Sequence, residues 1–194
     1  TLLGTLPEES TLIISAEAGL LCLSDKNIDV WEAANFEEVQ QAFKFVKSAE
    51  ASKYTTVCVD SLTEISSMLV DSLQAKPEFK DPKMALKMWG EYSQKMTALI
   101  KAFRGLDKNV VFTALPESIN DNGMVIKKPY IKGASVQTML LSYFDEAFYL
   151  YVADDGKRCL QTQPDHIAEA KDRSGKLSNP ELPDLSAIFA KINA

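Results

Sequence analysis

The sequence predicts an α/β protein: a mainly parallel sheet with helices on both faces, followed by a C-terminal β-hairpin region. Three observations carry this. Apolar, β-branched runs at 11–15, 54–60 and 109–114 read as buried strands. Segments of helical period separate them. After residue 115 the pattern changes to short extended runs divided by turn signals. Strands joined through helices lie parallel, because a parallel pair needs a long crossover.

The elements follow in order. Thr11-Leu12-Ile13-Ile14-Ser15 comes after a proline and an acidic turn and reads as the first strand. Asn35 is the N-cap of a helix, with Glu38 at the capping-box position and Phe36, Val39, Ala42, Phe43 and Val46 at helical spacing. Tyr54 to Asp60 is the second strand, and a helix follows from about Leu62 to Leu73. Pro77 and Pro82 break the chain before a longer helix from about Met84 to Phe103, closed by Gly105. Asn109 to Ala114 is the third strand. Asn120-Asp121-Asn122-Gly123 marks a hairpin or mobile loop. Glu146 to Val152 reads as a strand that turns through Asp154-Asp155-Gly156-Lys157 into Arg158 to Thr162. Trp89, Tyr92, Met96, Leu99 and Phe103 share a helical face and are expected in the core; Trp31 is expected near a sheet edge.

Composition narrows the class. A chain of 194 residues with 46% hydrophobic and 25% charged residues matches an ordinary globular domain. No apolar run approaches the ~20 residues of a membrane span. No basic, apolar leader opens the chain, and Cys22, Cys58 and Cys159 form no CxxC pair, so a reducing, cytoplasmic setting in a bacterial host is expected. A formal charge of −6 argues against coating nucleic acid by bulk charge, though not against a local basic loop. With His166 the only histidine, a multi-histidine metal site is excluded.

Two carboxylates stand where such a sheet places its chemistry. Asp60 ends the second strand, and ligands bind at the carboxyl ends of parallel strands. There it can hold the water shell of a nucleotide's Mg²⁺; alternatively Asp60 or Ser61 simply caps the next helix. Glu17 lies just past the first strand, where it can polarise the water that attacks a γ-phosphate or sit as a solvated turn residue.

Together the segments Ile13–Asp29, Tyr54–Leu62, Trp89-Gly90-Glu91, Val110–Ala114 and Ala170–Gly175 resemble the phage and prophage RecA-like P-loop nucleotide-binding proteins of single-strand annealing and recombination systems. The resemblance covers nearly the whole chain and implies one RecA-like ATPase domain over residues 1–194. It implies Glu17 as catalytic glutamate and ATP and Mg²⁺ as cofactors, held by Thr1, Asp60, Ser61 and Thr113, with Asp60 on the metal. A phosphate-binding loop GxxxxGK[ST] belongs to this pattern, yet no Gly-Lys-Ser or Gly-Lys-Thr occurs in the sequence. The expectation is that the chain begins just after that loop, lacking the first strand, with Thr1 near its Ser/Thr; loss of ATP binding is the competing explanation.

Lys171-Asp172-Arg173 resembles the finger segment of hexameric helicases and the trans-acting basic residues of RecA filaments. It implies an exposed pair that reaches a neighbour's phosphates in a ring or filament. A charged surface turn is the plainer reading. Where the resemblance calls for a polar sensor after the third strand, this chain has Leu115; Thr113 or Glu117 are the polar substitutes nearby. Lys127, Lys128, Tyr130 and Lys132 combine charge with an aromatic and are the candidate contact for single-stranded DNA, or else an ordinary solvated hairpin. Two functions follow: a DNA-recombination ATPase acting as a homo-oligomer, or a non-catalytic adaptor that contacts a recombinase or a single-strand annealing or binding protein.

Overall fold

In a computed structural model of the chain, residues 2–17, 19–121 and 123–194 are described. The centre is a four-stranded, wholly parallel sheet, ordered β2-β1-β3-β4, with β1 at Thr11–Ser15, β2 at Asp29–Glu32, β3 at Thr56–Asp60 and β4 at Asn109–Phe112. The three strands read from the sequence are therefore parallel neighbours. The edge strand β2 went unread because its Asp29-Val30-Trp31-Glu32 is largely exposed and lacks a continuous apolar run.

β1 is buried along its whole length because both faces are covered. Leu12, Ile14, Val57 and Val59 face a core built with α1 (Phe36–Val46), α2 (Leu62–Gln74) and α3 (Ala85–Arg104). The alternate residues Ile13 and Cys58 face a second core, with Leu3, Leu6, Leu160, Leu185 and Ile188. Burial there pushes the Cys58 thiol up to about 12, so it behaves as a small apolar residue.

Local signals set the helix starts. Asn35 accepts a hydrogen bond from Glu38 N at 3.0 Å, while the Glu38 carboxylate accepts from Ala34 N at 2.7 Å. Tyr92, Met96, Leu99 and Phe103 are core residues as their spacing predicts, whereas Trp89 is 38% exposed. Trp31 sits on the edge strand against Phe45, with ring centroids 5.2 Å apart.

The last third is more broken than the sequence suggests. The turn at 120–123 belongs to a hairpin, β5 (Pro116–Asp121) with β6 (Met124–Pro129). A short helix α4 follows at Ala134–Met139. The expected strand 146–152 is two strands that part at Phe148. β7 (Glu146–Ala147) pairs with β10 (Lys171–Asp172), and β8 (Tyr149–Val152) pairs with β9 (Arg158–Gln161). Helix α5 at Leu185–Asn193 closes the second face of the sheet; its one-sided apolar pattern of nine residues was too short to stand out.

β4 is the second edge of the sheet. A cleft of about 430 Å³ borders it, lined by β4 itself, by Leu140, Leu141 and Phe144, by α5 residues Ile188 and Ile192, and by Phe148. No described helix is long and apolar enough to cross a membrane.

Candidate functional site

β1 and β3 run side by side, with Ser15 opposite Asp60, and Ala16 N donates to Asp60 O at 2.7 Å. Glu17 and Asp60 thus leave the sheet at one edge, the carboxyl end of two adjacent strands. That is where an open α/β sheet presents ligand-binding groups.

Two hydroxyls hold the two carboxylates. Ser61 Oγ donates to Glu17 Oε1, and Thr113 Oγ1 donates to Asp60 Oδ1. Ser61 is also the N-cap of α2, accepting from Glu64 N at 3.4 Å, so capping and the link to Glu17 coexist in one side chain. The Asp60–Ser61 peptide is cis. Thr113 is fixed by its backbone, which donates to Val59 O at 3.1 Å and accepts from Leu62 N at 2.9 Å. Glu17 is exposed, Asp60 half-buried and Ser61 buried. The constellation is a solvent-facing carboxylate beside a recessed one, each oriented by an O–H donor.

Asp60 suits a magnesium ion. Mg²⁺ takes hard oxygen ligands, keeps several waters and is typically shared between one or two carboxylates and substrate phosphates. Among the described residues no group of three or more His, Cys, Asp or Glu is arranged to hold a metal without such help. The large cleft beside β4 is not this site: Leu62, Thr113 and Ala114 line it, but Glu17 and Asp60 do not. Thr1, the remaining expected cofactor residue, lies outside the described residues.

The other candidates lie apart. Lys171 and Arg173 were expected to form an exposed pair, and only Arg173 is exposed. The Lys171 ammonium donates to Leu141 O at 3.1 Å and Phe144 O at 2.6 Å, because β10 pairs with β7 and brings it under the turn after α4. Arg173 makes an ion pair of 2.5 Å with Asp145, both side chains more than half exposed. The pair is an open one that a competing anion can displace at little cost.

Lys127, Lys128, Tyr130 and Lys132 do not form one free basic patch. Lys127 Nζ donates to Ser118 Oγ at 2.5 Å, and Lys128 is paired with Glu169 at 2.9 Å. Lys132 Nζ lies 5.7 Å from the centre of the Tyr130 ring. Leu115, at the expected sensor position, points into solvent at 56% exposure, and Glu117 accepts a bond from Gln137 Nε2 at 2.8 Å.

Sequence reading missed Thr63 and Ser66. Both are buried hydroxyls on the inner face of α2, with relative exposures of 7% and 0%. Their signal was there: polar residues three apart on an otherwise apolar helix face need partners.

A family model described as an AAA domain matches residues 1–174. No curated protein matches the chain.

Proposed function

The chain belongs to the AAA domain family, a P-loop ATPase-type family, and on that premise we propose that Glu17 and Asp60 are the hydrolytic centre of a RecA-like ATPase of DNA recombination or single-strand annealing. One observation carries the reading: the two carboxylates emerge at the same carboxyl edge of adjacent parallel strands, each held by its own hydroxyl donor.

The chemistry follows from these positions. A nucleotide at this edge would bring Mg²⁺ with its phosphates, and the metal would supply charge neutralisation of the transferring phosphoryl group. Asp60 would hold that ion through its water shell, with Thr113 fixing the carboxylate rotamer. Glu17, exposed and oriented by Ser61, accepts a proton from a water directed at the terminal phosphate. Arg173, in an open pair at the surface, is free to exchange Asp145 for a phosphate of a neighbouring subunit. Single-stranded DNA lies against Tyr130 and Lys132, whose ammonium sits over the Tyr130 ring 5.7 Å from its centre; the ammonium meets a phosphate, and the ring face it then uncovers stacks a base.

The test is steady-state hydrolysis of Mg-ATP by the full-length gene product. Glu17→Gln should keep nucleotide affinity and lower kcat by roughly 10²-fold or more, since it removes a base and little ground-state contact. Asp60→Asn should raise the Mg²⁺ concentration needed for half-maximal rate. Normal turnover by Glu17→Gln removes Glu17 from the site.

A further inference from the structure

The segment after β6 is bolted to the catalytic edge through one helix. Residues 130–132 run across the first two turns of α2, and the backbone polar groups of Tyr130 and Lys132 are taken up one by one. Tyr130 N donates to Leu115 O at 2.8 Å. Tyr130 O accepts from Thr63 Oγ1 at 2.7 Å. Lys132 N donates to Ser66 Oγ at 3.0 Å, and Lys132 O accepts from Tyr92 OH at 2.5 Å. Ile131 between them is buried, at 1% exposure.

Thr63 is the junction. Its hydroxyl donates to Tyr130 O and accepts from Leu115 N at 3.0 Å, so one side chain joins the chain leaving β4, the chain leaving β6 and the first turn of α2. The same turn begins at Ser61, which holds Glu17, and Leu62 N is bonded to Thr113 O, the residue that holds Asp60. Leu115 cannot relay anything through its exposed apolar side chain. The connection at that position runs through its backbone N–H, and Thr63 receives it.

We propose that Thr63 is a positioning residue that couples the Glu17–Asp60 centre to the Tyr130–Lys132 segment, so that DNA at the segment and nucleotide at the centre change each other's affinity. The proposal rests on the functional reading above. A shift of α2's first turn when Glu17 or Asp60 engages a nucleotide must move Tyr130 O or break its bond, because the segment has no slack. Of its four backbone anchors one is Leu115 O, and the other three are side chains of α2 and α3. Coupling of this kind is reciprocal, and it needs a continuous set of contacts that both ligands bias.

The experiment uses the full-length protein, Mg-ADP and a thymidine homopolymer. Each ligand's affinity is measured alone and in the presence of the other, in wild type, Thr63→Val, Thr63→Ser and Ser66→Ala. Wild type should show a coupling factor of at least several-fold. Thr63→Val, which keeps the volume and removes the hydroxyl, should bring the factor towards one, and Thr63→Ser should restore it. Should Thr63→Val fail to fold, Ser66→Ala, which frees only Lys132 N, carries the same test with a partial loss expected. An unchanged factor in Thr63→Val, or no recovery in Thr63→Ser, overturns the proposal alone. A wild type that binds both ligands with a factor of one also overturns it. A wild type that binds neither ligand by itself sinks the functional reading, and the coupling with it.

Discussion

Glu146 shows how one residue's surroundings set its charge. Its Oε1 accepts from Ser174 N at 3.0 Å, but Oε2 is buried without a hydrogen-bond partner. Burial pushes its carboxyl above the ordinary range, the bond from Ser174 opposes this, and the nearby Asp172 carboxylate adds to the rise. The folded-state pKa is raised, so the ionised form costs stability at neutral pH. That cost fades as pH falls through the raised pKa and is gone below the unfolded value of about 4.3. Glu146→Gln should therefore raise Tm by a few degrees at pH 7. Its advantage over wild type should shrink steadily in melts taken toward pH 4. An advantage that stays constant with pH would show that packing, not ionisation, is responsible. The Ser61–Glu17 and Thr113–Asp60 bonds belong to the same scale. The sequence marked all four residues as candidates, since Asp-Ser after an apolar strand and a Glu past its neighbour are readable patterns. It did not indicate which hydroxyl meets which carboxylate, because that depends on strand register.

At the scale of elements, Gly133 sets how the β6 segment enters α4. Its φ is +82°, and a Cβ there would lie 2.7 Å from the Tyr92 ring carbon Cε1. Both effects penalise any side chain, the first through left-handed backbone strain and the second through a ring that is itself fully buried. Gly133→Ala should cost about 2 kcal/mol of unfolding free energy, read from the urea midpoint at unchanged slope. A loss near zero would mean that the Tyr92 ring moves aside freely and that the Lys132 anchor is loose. The central elements were legible for a related reason. β1 and β3 each carry a continuous apolar run, and α1, α2 and α3 a pattern of period 3.6, with a cap or breaker at the end, and such patterns are local. β2, α4 and α5 were not legible. β2 is stabilised by pairing with β1 rather than by its own apolar content, and α4 and α5 are too short for periodicity to show.

The whole molecule raises the question of assembly. Arg173 lies on the turn after β10, on a surface formed by the small sheets and remote in sequence from the β1–β3 edge. Its exposed pair with Asp145 leaves the guanidinium available to another subunit, while Lys171 is spent on two carbonyls of its own chain. A finger acting across a subunit boundary is worth roughly 10³-fold or more in turnover. If Arg173 acts in this way, Arg173→Ala and Glu17→Gln break different halves of a shared site. Mixing the two inactive chains should then recover part of the hydrolysis, through sites that draw each good half from a different protomer. Mixed oligomers that demonstrably form and stay inactive return Arg173 to an ordinary surface turn. Lys171→Ala should behave differently, lowering stability rather than complementing, because it strips Leu141 O and Phe144 O of a donor.

The sequence by itself determined the α/β class, the parallel core strands, the helices that flank them and the edge at which Glu17 and Asp60 emerge. All of these follow from local periodicity, chain direction and the crossover that parallel strands require. Tertiary structure alone decided the rest, including that α1, α2 and α3 all pack on one face and leave the other to α5. The tethering of Lys171, the β7–β10 pairing that splits strand 146–152 at Phe148, and the Thr63 junction each join residues about 24 to 67 positions apart. The reason is physical. A buried hydroxyl or ammonium must find a partner, and its residue type announces that need. Which carbonyl or carboxylate answers is fixed only when packing brings distant segments into contact.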